Sequence, residues 1–262
     1  NFLKRYVRLK MIVSSTTGLN HLDHPTINRK NIKIISLRDV DDQLEMVQSA
    51  GEFAVGLIIS SFRKIHLCLL NENTASEAFH RNSHTPSSSL RDKKLGIIGL
   101  GRIGRFVKQV CERLNMEVQF FDNDKRVQTT GGIPLEKLLS SSDIILIAAK
   151  HNFGDAQLLN KPLLRLMKPS AHLINIARGD LIDEREVLNL IDKGRLAGYA
   201  TDVMNQRHPK YPQNISYAKS LISRRKCIAI SPHLGGYTYD DMSLTELLVA
   251  KKARDVWNDI LK

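Results

Sequence analysis

The 262-residue sequence predicts a doubly wound parallel α/β protein. Three observations point to that class. Short apolar runs such as Leu95–Gly99, Ile144–Ala148 and His172–Ile176 alternate with helix-forming segments, the pattern of strands covered on both faces. A glycine-rich turn, Gly99-Leu100-Gly101-Arg102-Ile103-Gly104, falls between one such run and a helical segment. Hydrophobic residues make up 42% and charged residues 25%, which excludes a disordered, collagenous or fibrous chain.

The elements follow in order. Lys10–Ser14 and Asn31–Ser36 are short β-rich runs, and Glu45–Ile65 has the length and apolar content of a buried helix. Asn82–Arg91, Ser-rich with Pro86, reads as a loop joining two ordered regions. Strand Leu95–Gly99, helix Gly104–Leu114 and strand Glu117–Phe121 come next, then a short helix Leu135–Leu139 and strand Ile144–Ala148. Leu158–Met167 reads as a further apolar segment and His172–Ile176 as a strand. A helix Asp183–Lys193 opens with an Asp-x-x-Glu capping pattern, Asp183 to Glu186. Gly198–Val203 and Cys227–Ser231 are the last strands, and a closing helix runs from Asp240 to Ile260.

The net charge of +12 raises nucleic acid as a partner. The basic residues are scattered, however, with small clusters only at Lys4/Arg5/Arg8/Lys10 and Arg224–Lys226. Aromatics are 6%, so no stacking platform is visible, and a solvated basic surface is the expectation. No apolar stretch approaches the ~18 residues of a membrane span. Cys68, Cys111 and Cys227 have no metal-ligand spacing and read as inert core thiols of a reducing, cytoplasmic protein; no metal site is expected. The N-terminus lacks a signal-peptide pattern and begins with Asn1, so the chain is expected to be a fragment or a processed product.

In the glycine turn, Gly99 permits the tight bend, Gly101 admits a pyrophosphate close to the backbone, and Gly104 allows close helix–strand packing. Arg102 and Ile103 open the helix whose N-terminus faces the anion. The second strand ends in Asp122, placed to accept hydrogen bonds from a ribose diol and to repel a 2′-phosphate. NAD is therefore the expected cofactor, although Lys125 and Arg126 beside it could accommodate a 2′-phosphate.

Four motifs in order carry a resemblance. They are GLGRIG at Gly99–Gly104, NIARGDLID at Asn175–Asp183, GYATDV at Gly198–Val203 and SPHLGG at Ser231–Gly236. Together they resemble the D-isomer-specific 2-hydroxyacid dehydrogenases, over nearly the whole chain. The resemblance implies a Rossmann cofactor domain at 48–236, a partial flavodoxin-like substrate domain at 1–47, and a helix at 237–262 returning to the latter. It implies hydride transfer between NAD(H) and a small 2-hydroxy or 2-keto acid. Arg178 would hold the substrate carboxylate and polarise its carbonyl, a task suited to a planar guanidinium. His233 would shuttle the proton, for which imidazole is suited near neutral pH. Asp202 would hold the nicotinamide carboxamide, with Ala177 and Gly235 also lining the cofactor. Thr16, Thr17 and Gly18 match the loop that grips the substrate carboxylate. The family's usual assembly is a homodimer through the cofactor domain, and the apolar helix Glu45–Ile65 is of the type such an interface uses, an intrachain core helix being an equally good reading.

Three departures stand out. Where the family has a glutamate partner for its histidine, this chain has Arg207, with Gln206 adjacent. An acid there raises the imidazole pKa and an arginine lowers it. The expectation is a weakened dehydrogenase unless Gln206 substitutes, or an inactive paralogue or redox-sensing regulator that keeps the dinucleotide fold. Lys150–Asp155 replaces the family's Pro-Leu-Thr type segment. The strands before the position of Asn1 are missing, so the chain reads as truncated.

Overall fold

The computed structural model describes residues 2–6, 8–19, 21–68, 86–150, 156–206 and 208–260. The strands are β1 (Met11–Ser14), β2 (Lys33–Ser36), β3 (Lys94–Ile98), β4 (Glu117–Phe121), β5 (Ile144–Ile147), β6 (His172–Asn175), β7 (Gly198–Thr201) and β8 (Ile228–Ile230). The longer helices are α1 (His24–Arg29), α2 (Ser49–Phe62), α3 (Arg102–Arg113), α4 (Leu135–Ser141), α5 (Glu184–Asp192), α6 (Tyr211–Ser223) and α7 (Tyr239–Ile260). The chain divides into two compact units. One combines the residues up to Ser49 with those from Gly236 onward; the other comprises Ala50–Lys150 and Ala156–Gly235.

The larger unit is a parallel six-stranded sheet in the order β4-β3-β5-β6-β7-β8. Its central strands explain why the sequence reads as continuous apolar runs. Along β5, Ile145 and Ile147 enter one core while Ile144 and Leu146 enter the other, and all four are fully buried. Alternation is present, but both faces are covered. Each such side chain contributes roughly 1.5–3 kcal/mol on burial. One core packs α4, α5 and α6 through Leu138, Leu188 and Leu221; the other packs α2 and α3 through Ile58 and Val107.

The chain leaves β3 for β4 on one side and returns to β5 on the other. The topological switch point, where such sheets bind ligands, is therefore at the carboxyl ends of β3 and β5.

In the smaller unit, β1 and β2 pair in parallel, Met11 opposite Lys33. Asp23 caps α1 by accepting from the Thr26 amide. Ser36 and Asp39 form a reciprocal capping box at the 3-10 segment Leu37–Gln43. Val249 of α7 joins Leu37, Val40, Leu44 and Val47 in one cluster, and Asp241 accepts the Ser49 amide at 2.9 Å.

Several sequence expectations are corrected. The helix expected at Glu45–Ile65 is α2, Ser49–Phe62, because Lys64 takes a left-handed conformation and starts a separate turn, Ile65–Cys68. The helix after the glycine turn starts at Arg102 rather than Gly104. Leu158–Met167 keeps one helical turn, Lys161–Leu164, capped by Asn160. α6 was not anticipated at all; its Pro212 near the start and weak amphipathicity hid it. The capping pattern at α5 is half realised. Asp183 accepts the Glu186 amide, but the Glu186 carboxylate turns to Arg165 and Lys161 instead of reaching back.

Burial pushes the Cys111 thiol up to about 12 and raises that of Cys227, as expected of inert core thiols. The side chain of Cys68, residues 82–85 of the joining loop, 151–155 of the Lys150–Asp155 segment and Arg207 lie outside the described residues.

Candidate active site

The glycine turn sits at the switch point. Gly99 has φ +96°, and a Cβ on it would lie 2.6 Å from the Ala149 backbone at the end of β5. A Cβ on Gly104 would overlap the Gly99 carbonyl, so helix and turn could not close. Gly101 differs: nothing lies within 4 Å of the place its Cβ would take. The first two glycines are required by the fold, whereas the third leaves open space over the backbone where a pyrophosphate fits. Gly101 caps α3 without a side-chain acceptor, and the first turn holds no acidic residue, so the helix dipole faces an anion unneutralised. Arg102 and Ile103 form that first turn, and Ile103 packs into the core beneath it.

Asp122 follows β4 and is half-buried. Its carboxylate accepts the Leu100 amide at 2.7 Å and the Asp124 amide at 2.8 Å. These bonds fix it beside the glycine turn, and each oxygen retains a lone pair for a ribose hydroxyl. Arg126, which could have met a 2′-phosphate, is engaged by Asp124 through two guanidinium bonds of 2.7 and 3.1 Å. The cradle thus fits a dinucleotide and favours NAD.

A second group of residues lies at the ends of β6, β7 and β8, which are neighbours in the sheet. Asn175, fully buried at the end of β6, accepts the Ala177 amide at 3.0 Å and donates to the Arg178 carbonyl at 2.9 Å. It clamps the turn that presents Arg178. Arg178 is half-buried, and its guanidinium donates to the Ala177 carbonyl at 2.6 Å. Both polar backbone groups of Ala177 are therefore engaged within the turn.

Asp202, after β7, is 2% exposed. Its carboxylate accepts from Ser231 Oγ and the Leu234 amide, both at 2.7 Å, and from the Gly235 amide at 2.8 Å. These three bonds bracket His233, which is exposed and held at φ +62°. That conformation is strained for a residue with a Cβ and persists only where its surroundings over-determine it. Among the described residues the His233 imidazole makes no hydrogen bond, so it faces solvent. The two turns are tied together through β7. The Asn175 carbonyl accepts the Asp202 amide at 3.0 Å and the Thr201 hydroxyl at 3.1 Å.

In the smaller unit, Thr16, Thr17 and Gly18 follow β1. The Thr16 hydroxyl meets Ser14 Oγ at 2.8 Å and donates to the Gly18 carbonyl at 3.0 Å, while Arg38 holds the Thr17 carbonyl at 2.9 Å. Among the described residues the amides of these three donate to no protein acceptor. The described residues contain no cluster suited to a metal ion, and none of their helices is long and apolar enough to cross a membrane.

Asn175, Thr201 and Ser231 were not foreseen as site residues. The signal was present for Asn175: a polar side chain closing an otherwise apolar strand, His172–Asn175.

The fold and the cradle define a dinucleotide-binding α/β protein. Its family is more specific: the model of the D-isomer specific 2-hydroxyacid dehydrogenase, NAD binding domain, matches residues 55–235, and the chain belongs to that family. It is 26% identical over 244 residues to a hydroxyphenylpyruvate reductase of Plectranthus scutellarioides, covering 92% of this chain and 73% of that protein. It is 24% identical over 255 residues to a glyoxylate reductase of Pyrococcus furiosus, covering 93% and 71% respectively. A D-lactate dehydrogenase from Aquifex aeolicus, solved with NAD and lactic acid, shares the fold with a TM-score of 0.80 at 23% identity, over 98% of this chain and 79% of that one.

Proposed function

We propose that this chain is an NAD-dependent oxidoreductase of the CH–OH group, interconverting a small D-2-hydroxy acid and its 2-keto acid. The observation that carries the reading is the pair of braced turns flanking β7. One presents a guanidinium and the other an imidazole, in the same unit as the dinucleotide cradle. Bound NAD(H) supplies the hydride carrier. Arg178 holds the substrate carboxylate and draws electron density from the carbonyl, stabilising the developing alkoxide. His233 gives that oxygen its proton in reduction and removes it in oxidation. Asp202 keeps His233 in place and, in the family's pattern, meets the nicotinamide carboxamide. Gly99, Gly101, Arg102, Ile103, Gly104 and Asp122 seat the pyrophosphate and ribose, with Ala177 and Gly235 along the same edge.

Residues 1–47 act as the substrate domain, where the amides of Thr16, Thr17 and Gly18 supply donors for the carboxylate; 48–236 act as the cofactor domain, and 237–262 return to the former. A homodimer through α2 is part of this reading, since Val55, Leu57 and Ile59 leave part of that helix's apolar surface uncovered within the chain. So is the cytoplasm, on the strength of the buried free thiols of Cys111 and Cys227.

A panel of 2-keto acids assayed with NADH and NADPH tests the reading. NADH oxidation that depends on the keto acid and falls at least a hundredfold in Arg178→Ala supports it. Quenching of NADH fluorescence without turnover of any keto acid would overturn it in favour of a dinucleotide-binding regulator.

A further inference from the structure

The turn that follows Asp122 links this carboxylate to a second one. Asp122 Oδ1 accepts the Asp124 amide at 2.8 Å. The Asp124 carboxylate is in turn engaged by Arg126 at three points. Its Oδ1 accepts the Arg126 amide at 2.9 Å and Nε at 3.1 Å, and its Oδ2 accepts Nη2 at 2.7 Å. Two parallel bonds from one guanidinium are the geometry in which arginine holds a carboxylate or a phosphate. The guanidinium and amide of Arg126 together keep the Asp124 carboxyl below the usual carboxylate range, so the pair is charged near neutral pH.

The backbone that carries Arg126 is fixed beside Asp122. Asp124 caps the helical turn Lys125–Gln128. Gln128 reaches back from the end of that turn: its Oε1 accepts the Asp122 amide at 2.7 Å, and its Nε2 donates to the Ile133 carbonyl at 3.0 Å. A Cβ on Gly132 would overlap the Gln128 side-chain amide, so the following loop closes tightly around it. The Ile133 amide donates to the Phe120 carbonyl at 2.9 Å, which ties the loop to β4. The Arg126 side chain is the part left to choose a partner. It is 91% exposed, and among the described residues its guanidinium bonds Asp124 alone.

A ribose whose diol sits on Asp122 brings its 2′ position to this turn. A 2′-hydroxyl asks for an acceptor, which Asp122 supplies. A 2′-phosphate asks for a cation with paired donors, which Arg126 has and Asp124 already uses. We propose that Asp124 is a specificity-determining residue of the NAD site: by occupying Arg126 it withholds the guanidinium that would bind a 2′-phosphate, and so excludes the phosphorylated dinucleotide. Asp122 repels that phosphate directly, whereas Asp124 acts through Arg126. The inference rests on reading the glycine cradle and Asp122 as the dinucleotide site.

Asp124→Asn tests it, because asparagine keeps the cap oxygen for the Arg126 amide and loses the charge that holds the guanidinium. Fluorescence titration of the full chain gives Kd for NADH and for NADPH. Their NADPH-to-NADH ratio should fall roughly tenfold in Asp124→Asn, the scale of one charge-assisted phosphate contact. The ratio should change little in Arg126→Ala, and adding Arg126→Ala to Asp124→Asn should abolish the gain. Adding Lys125→Ala instead should keep it, since Asp124 does not hold that ammonium. An unaltered ratio in Asp124→Asn would overturn the proposal. So would a fall that survives the loss of Arg126, which would assign the exclusion to the charge of Asp124 alone. Nitrogen-15 relaxation at Arg126 Nε, followed without nucleotide, should report an ordered guanidinium in the unmodified protein and a mobile one in Asp124→Asn; equal relaxation would likewise overturn it. Failure of the unmodified protein to bind either dinucleotide would instead count against the cradle, and the relaxation measurement would still decide whether Asp124 holds Arg126.

Discussion

Replacing Asp202 by alanine tests whether the carboxylate beneath His233 serves the fold or the chemistry. The substitution removes three hydrogen bonds at once, from Ser231 Oγ, the Leu234 amide and the Gly235 amide. Their losses are unequal. Gly235 is buried, and its orphaned N–H costs roughly 1–3 kcal/mol. Leu234 is exposed, so water replaces its partner at little cost. Ser231 keeps a bond of 3.3 Å to the Thr201 carbonyl. Against these losses, freeing His233 from φ +62° returns about 1 kcal/mol of backbone strain. The net destabilisation is therefore about 1 kcal/mol, read as a shift of the urea midpoint. The kinetic effect is much larger. An imidazole that wanders by an ångström loses most of the advantage of orientation, so kcat for keto-acid reduction should fall on the order of a hundredfold. A double-mutant cycle separates the two roles. If Asp202 acts on kcat through His233, Asp202→Ala should cost little further in a His233→Ala background. Equal losses in both backgrounds, or a kcat within threefold of the unmodified protein, would refute the reasoning.

The two glycines of the cradle should part company. Gly101→Ala, whose Cβ meets open space, should leave the unfolding midpoint nearly unchanged while weakening NADH binding at least tenfold by fluorescence titration; Gly104→Ala should lower the unfolding free energy by about 3 kcal/mol because the new methyl overlaps the Gly99 carbonyl. Asn175→Ala leaves the Ala177 amide unpaired and the Arg178 carbonyl with only the long 3.4 Å bond from the Leu181 amide, so KM for the keto acid should rise more than KM for NADH in steady-state assays. Burial, helped by the charges of Lys64 and His66, depresses the His172 imidazole to about 4 from 6.5. The unfolded chain takes up the proton first, so the stability this group contributes is complete above pH 6.5 and lost as pH falls toward 4, roughly 3 kcal/mol in all. Urea midpoints of His172→Gln should show a flatter decline over that window. Glu184 has the opposite sign. Its carboxyl is raised from 4.5 to about 7, so its stabilising influence is present below pH 4.5 and fades as pH rises to 7, and Glu184→Gln should remove that fall.

Strands were more legible than helices here, for a physical reason. A strand buried on both faces must be apolar at every position, as Ile144–Ile147 is, and among the described residues no loop imitates that run. α6 buries only Asn214, Ala218 and Leu221 on its inner face, opens with proline and contains polar residues all round, so its periodicity is faint. The boundary of α2 was misplaced because apolar content continues past Phe62, whereas the helix stops where Lys64 turns left-handed, a choice made by tertiary packing. The cradle was legible because its glycines answer local geometry. A positive φ at Gly99 and a carbonyl against Gly104 leave no other residue type, and those demands are written in the sequence itself.

What braces the rest of the site was not legible, because it depends on strand order. Asn175, Thr201, Asp202 and Ser231 become partners only once β6, β7 and β8 lie side by side. Their hydrogen bonds run between strand ends separated by 26 to 30 residues in sequence. A motif reading assigns Arg178 and His233 their roles individually and says nothing of what holds them. The fold supplies that support with polar groups that are nearly all buried: Asn175 fully, Thr201 fully and Asp202 to all but 2%. Buried polar groups tolerate little displacement, since each lost bond leaves an unpaired donor or acceptor out of reach of water. Rigidity under the two turns is thus a consequence of burying polar atoms rather than apolar ones at the carboxyl edge.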